Sequence, residues 1–300
     1  MLGVTVHLPR HSLFRSIYAH LSYLPCSTSL HVAPPALSCM SLRLAGVRAL
    51  PVVRAQSRTV ASAVGMGGEV ATALQEVTAR LAAAAARAGR DRPPRLVAVS
   101  KTKPAEAVRE AYEAGHRVFG ENYVQELLDK APQLPADCSW HFIGHLQSNK
   151  VKALLEGVPN LTMLETVDSE KLANKLDSTV AALGREPLPV LVQVNTSGEE
   201  SKYGVEPKDC VALATHIHES CKHLRLAGLM TIGMPDYSSR PENFACLSDC
   251  RKAVAEALGL PEAELELSMG MSGDFEQAVE MGSTNVRVGS TIFGARVYAS

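Results

Sequence analysis

The sequence predicts a (β/α)8 barrel preceded by an extra N-terminal helix, and three observations predict it. Short apolar runs alternate with helix-like stretches from Leu96 to Phe293, and such alternation with short loops makes the strands parallel. Eight runs occur in roughly 200 residues, the minimum length of this barrel, where a doubly wound sheet usually has fewer strands. The runs are continuously apolar, as strands are when both faces of a sheet are covered. No dinucleotide fingerprint follows the first strand: Gly65, Gly67 and Gly68 precede a helix with no strand before them.

Val70, Leu74, Val77 and Leu81 line one face of a helix over 69–88, which Gly89 and then Pro93-Pro94 stop. Strands are expected at 96–100, 118–120, 140–144, 161–167, 188–195, 226–232, 265–269 and 286–293. Helices are expected between them at 104–115, 123–130, 150–156, 169–183, 207–219, 241–258 and 275–281. Pro104, Pro207 and Pro241 suit the first helical position, and Asp168 or Ser169 suits the cap of the helix that follows.

The 300 residues, 46% of them hydrophobic, are enough for one large domain or two ordinary ones. A net charge of -1 argues against a duplex-binding domain, which needs a basic stripe. No run of about 18 uncharged apolar residues is present to span a membrane. The seven cysteines include no CxxC pair. Cys246 and Cys250 share a helix face without a histidine at ligand spacing, so thiols in a reducing compartment are the expectation. Residues 1–65 hold six arginines, no lysine and no acid, the first acid being Glu69. An arginine-bearing, Ser-rich, acid-free leader has the composition of a mitochondrial or plastid transit peptide. Met66 also opens a freshly patterned segment, so a product starting there is expected in the cytoplasm. The division is therefore a leader over 1–65 and a barrel over 66–300.

Parallel barrels place their chemistry at the carboxyl ends of the strands. Here those ends are dense in glycine, hydroxyl and charged residues: Lys101 and Lys103 after the first, Glu121-Asn122-Tyr123 after the second, His141 and His145 around the third, Tyr203 beyond the fifth. The seventh gives Met271-Ser272-Gly273 and the eighth Arg287, Gly289-Ser290-Thr291. Glycines let backbone N–H groups approach an anion, and this corner is where barrels usually hold a phosphate. Strand one adjoins strand eight at closure, which puts Lys101 beside that corner. A lysine that captures a carbonyl must lose its proton, and moving it from about 10.4 to 7 takes roughly 4–5 kcal/mol. Desolvation and a nearby cation such as Lys103 supply part of that. Amine plus phosphate cradle suits pyridoxal phosphate held as a Schiff base, and equally a class I-type aldolase acting on sugar phosphates.

Six segments sharpen this: LVAVSKTKP (96–104), FGENYVQE (119–126), WHFIGHLQSNK (140–150), VNTSGEESKYG (194–204), GLMTIG (228–233) and LSMGMSGDFEQAVEMGSTNVRVGSTIFG (267–294). In order and from about Val70 onward, the chain resembles the pyridoxal phosphate homeostasis protein family, whose barrel is related to the N-terminal domain of alanine racemase. The resemblance implies a fold-type III barrel that binds pyridoxal phosphate through one lysine. It implies storage and delivery of the cofactor to apo-enzymes rather than catalysis, with a racemase-like enzyme as the alternative. Residue by residue, Lys101 matches the lysine that forms the internal aldimine. Arg287 is similar to the racemase arginine facing the pyridine nitrogen, a poor proton donor that leaves the cofactor a weaker electron sink. Gly289, Ser290 and Thr291 match the phosphate cradle, with Ser272 and Met271 completing it, and Asn122 lines the ring side. Lys103, His141, His145 and Tyr203 are expected near the mouth in structural roles. Racemases add an acid–base residue on the opposite cofactor face and a C-terminal β-domain. This sequence stops at Ser300, just after strand eight, so an open mouth, a monomer and easy cofactor exchange are expected.

Overall fold

The computed structural model describes residues 68–199, 203–232 and 240–295; the leader expected over 1–65 lies outside them. Eight parallel strands close in sequence order into a barrel: β1 (Arg95–Val99), β2 (Val118–Glu121), β3 (Ser139–Phe142), β4 (Leu161–Val167), β5 (Leu188–Gln193), β6 (Leu224–Met230), β7 (Glu266–Ser268) and β8 (Asn285–Val288). The ring is sealed by β1 against β8, with Arg95 opposite Asn285 and Ala98 opposite Val288. Around it run α1 (Glu69–Arg87), α2 (Ala105–Glu113), α3 (Val124–Lys130), α4 (Val151–Gly157), α5 (Glu170–Ala182), α6 (Cys210–Ser220), α7 (Pro241–Leu258), α8 (Phe275–Glu280) and the short α9 (Ser290–Phe293).

Side chains alternate across each strand, and the two faces differ in chemistry. Outward-facing residues such as Leu96, Ala98, Phe119, Trp140 and Phe142 join the helices in one extensive core, whereas Met163, Leu191, Ala227 and Met230 form a small separate cluster. The rest of the interior sets Val97, Val99 and Ile143 beside polar side chains such as His141, Glu165, Asn285 and Arg287, which support the site described below.

The expected elements are present, with two corrections at their ends. The run 286–293 is not one strand. β8 stops at Val288, and the N–H groups of Ile292 and Phe293 both donate to the Gly289 carbonyl (2.9 Å each), turning the chain into α9. Apolar content alone does not separate a strand from a buried helical turn. Pro104 occupies the cap of α2 in an extended conformation rather than its first helical position, while Pro241 does open α7. Ser169 caps α5, its Oγ accepting from the Leu172 N–H (3.4 Å).

Among the described residues one helical turn, α9, follows β8, and α1 occupies the adjoining place in the outer ring. It packs between α8 and α2, completing the outer ring. Arg80 and Arg87 pair with Glu276 and Glu280 of α8 (3.0 and 2.7 Å), and the Arg80 guanidinium lies over the Phe275 ring. The N-terminus of α1 has no capping side chain of its own. Instead Glu110 of α2 accepts from the N–H groups of Val70 and Ala71 (3.0 and 3.2 Å), satisfying two donors that a helix start leaves unpaired. Among the described residues, Cys138, Cys210, Cys221, Cys246 and Cys250 are free thiols, no metal-binding cluster is present, and no helix is long and apolar enough to cross a membrane.

Glu110→Ala should lower stability by about 1 kcal/mol, with hydrogen exchange accelerating first in the opening turn of α1. Exchange unchanged in that turn would contradict the capping assignment.

Candidate functional site

A cavity of about 380 Å³ opens at the carboxyl ends of the strands, within the range of small-molecule sites. Val99, Ile143 and Ile232 give it apolar walls. Lys101 and Arg287 bring positive charge, and no carboxylate is among its described lining residues. Met271 and Ser272 from the loop after β7 face Gly289 and Ser290 after β8. The β1–β8 register is what sets Lys101 beside this corner. Ser272 joins the two loops, its Oγ accepting from the Gly289 N–H (3.2 Å). Asp274 fixes the first loop by accepting from the Met271 N–H (2.6 Å). Burial pushes the Asp274 carboxyl up, opposed by that hydrogen bond and by the charge of Arg287.

Below the cavity lies a polar floor. Arg287 is buried and donates to the Ser268 hydroxyl and to the Thr231 carbonyl, the latter at 2.7 Å. Glu165 on β4 is fully buried and accepts from His141 Nδ1 (2.6 Å), Ser268 Oγ (2.5 Å) and Asn285 Nδ2 (3.1 Å), with Arg287 at 3.9 Å. Burial by itself would raise the Glu165 carboxyl. The His141 hydrogen bond and charge, then Arg287 and Ser268, outweigh it and bring the group down to about 2. Burial also draws the Arg287 guanidinium down, against the charges of Glu165 and Asp274.

The Lys101 turn connects β1 to α2 and is closed by the Lys103 N–H donating to the Ser100 carbonyl (3.1 Å). Thr102 has φ +61°, the one positive φ outside glycine among the described residues. That is a costly backbone state that its surroundings must hold. Asn122 follows β2, and the main chain of Gly144 presses against it: a Cβ on Gly144 would lie 2.0 Å from the Asn122 carbonyl oxygen. Asn122 lines the cavity, and its side-chain oxygen is buried without a hydrogen-bond partner among the described residues. An orphaned acceptor between apolar walls fits a flat heteroaromatic ligand carrying a hydroxyl donor, and the cationic lining fits an anionic one.

Of the residues expected here, the structure brings Lys101, Asn122, Met271, Ser272, Arg287, Gly289 and Ser290 to one cavity. Thr291 is not among its lining residues; it sits within α9, half-buried. Lys103 directs its Nζ to the Ala295 carbonyl (2.6 Å). His141 belongs to the floor. His145 stacks on Tyr203 (ring centroids 3.6 Å apart), lies 3.3 Å from Asp168, and borders a neighbouring hollow of about 290 Å³. Sequence reasoning missed the apolar walls and the Asp274 brace, although an acid just before α8 was the available signal for the latter.

The alanine racemase N-terminal domain family matches residues 72–297. The pyridoxal phosphate homeostasis protein of Mus musculus is 54% identical over 77% of this chain and 88% of its own. The chain belongs to the pyridoxal phosphate homeostasis protein family. PipY of Synechococcus elongatus, solved with pyridoxal phosphate bound, is 35% identical with a TM-score of 0.60, covering 75% of this chain and all of that one. An alanine racemase from Bartonella henselae shares the fold alone, at 16% identity and a TM-score of 0.57, over 76% of this chain and 59% of its own.

Glu165 stabilises the fold above its ordinary value of 4.5, and that contribution is lost as pH falls toward about 2. A displacement of that size is on the order of 3 kcal/mol. Urea unfolding should therefore show wild-type stability falling through this interval and Glu165→Gln, less stable at neutral pH, changing less across it. A wild type flat over the interval would remove the floor from the account of stability.

Proposed function

We propose that the protein is a carrier of pyridoxal phosphate, holding it in the β1–β8 cavity as a Schiff base on Lys101 and releasing it to apo-enzymes. The observation that carries this reading is one cavity in which Lys101, Arg287 and the Ser272–Gly289–Ser290 corner converge with no acid among the described lining residues. Bound there, the cofactor supplies an aldehyde for a lysine amine to capture and a phosphate for hydroxyl and amide donors to grip. Ser272, Gly289 and Ser290 would hold the anionic arm, and Val99, Ile143 and Ile232 would shield the ring from water. Asn122 would accept from the ring hydroxyl, and Arg287, as a permanent donor, would discourage a proton on the ring nitrogen.

The pyridoxal phosphate bound in PipY and the naming of the mouse relative support the reading. The racemase alternative needs a second acid–base group across the cofactor from Lys101. The other polar side chains among the described lining residues are Asn122, Ser272, Ser290 and Arg287, which favours a carrier. In this proposal the protein acts as a monomer, the product from Met66 works in the cytoplasm, and the leader directs the longer product to an organelle.

Lys101→Ala should abolish the visible Schiff-base absorbance while circular dichroism reports an intact fold. Borohydride reduction followed by mass spectrometry should find the adduct on Lys101 in the wild type. An adduct on another side chain, or sustained interconversion of amino-acid enantiomers above that of free cofactor, would overturn the carrier reading.

A further inference from the structure

We propose that Lys130 and Glu126 are positioning residues for Lys101, a half-buried ion pair gripping the peptide groups immediately before and after it. The inference rests on the reading of Lys101 as the capturing amine. Lys130 ends α3, and its ammonium has three hydrogens, each with a partner. One goes to the Ser100 carbonyl (2.9 Å), one to Glu121 Oε1 (2.7 Å) and one to Glu126 Oε2 (3.0 Å). The same Glu126 oxygen accepts from the Thr102 N–H (2.8 Å). Ser100 and Thr102 flank Lys101, so its main chain is held on both sides from a single helix face, where Glu126 and Lys130 stand four residues apart. Glu121 extends the grip. It also accepts from Ser100 Oγ (2.7 Å), and its chain neighbour is Asn122, so one ammonium ties the ends of β1 and β2 together.

Two features separate this from an ordinary helix anchor. The Lys130 side chain is only 9% exposed, and a buried ammonium is costly to desolvate unless its geometry is filled, as it is here. The residue that Glu126 braces is Thr102, whose left-handed backbone is unfavourable without such bonds. Relaxing Thr102 would swing Lys101 relative to the phosphate corner. The step that suffers is capture: neutral Nζ adds to the aldehyde carbon, a C=N bond forms, and the aldehyde oxygen leaves as water with the two amine hydrogens. The phosphate corner and the floor lie on other elements, so non-covalent binding depends less on the pair than capture does.

The test compares Glu126→Ala, Glu126→Gln and Lys130→Met with the wild type, each freed of ligand. One measurement is the rate at which imine absorbance grows on mixing with pyridoxal phosphate. The other is the dissociation constant of its deoxy analogue, in which a methyl group replaces the aldehyde. Glu126→Ala and Lys130→Met should slow capture about tenfold or more while changing analogue affinity by less than about threefold. Glu126→Gln keeps an oxygen for the Thr102 N–H and should capture at close to the wild-type rate. If Lys130→Met does not fold, Glu126, whose side chain is 30% exposed, carries the comparison. Capture unaffected in Glu126→Ala, or capture and analogue binding falling together, would overturn the proposal. A wild type that binds the analogue but forms no imine on Lys101 would instead remove the reading on which it rests.

Discussion

An arginine buried inside a parallel barrel has to find its counter-charge and its acceptors within that barrel, and this requirement organises the interior beneath the cavity. Arg287 takes the Thr231 carbonyl and the Ser268 hydroxyl, and Glu165 supplies the negative charge. Glu165 in turn is saturated by His141, Ser268 and Asn285. Four strands thus contribute to one network in which each charge is matched, the condition under which buried ionic groups are tolerated. The consequence is a rigid cationic surface facing a cavity whose walls are apolar.

The cavity and the lysine turn are held by different means. The guanidinium is fixed from inside the ring, whereas the Lys101 turn is held from outside, by α3. Residues that line the cavity floor and residues that hold the Lys101 turn are therefore separable in the structure, a division that suits the proposed reversible attachment of a firmly recognised ligand.

Much of this was legible in the sequence. Eight apolar runs ending in glycine, hydroxyl or charged residues are enough to specify a parallel barrel and the end at which to look for a site. The adjacency of Lys101 to Gly289 and Ser290 follows from ring closure alone. What stayed hidden depends on contacts between distant segments. Ser268 and Asn285 meet Glu165 across 103 and 120 residues, and no local pattern announces that these polar side chains point inward. Lys130 reads as an ordinary surface lysine ending a helix, with Glu126 as its exposed partner; only the packing of α3 against the β1 and β2 ends buries it. Thr291 and Phe293 read as strand because an apolar run carries no mark of where Gly289 turns it.

Sealing the ring joins the first strand of the barrel to its last, so the seam is a contact of very high sequence separation. Its loop-closure entropy is offset only after the intervening strands are in place. The ligand cavity straddles that seam. A cargo molecule therefore binds the completed ring and not its precursors, shifting the folding equilibrium by mass action. On the proposed reading, loss of bound pyridoxal phosphate lowers the stability of the closed ring, so the seam is the first place where the empty protein and the loaded one should differ.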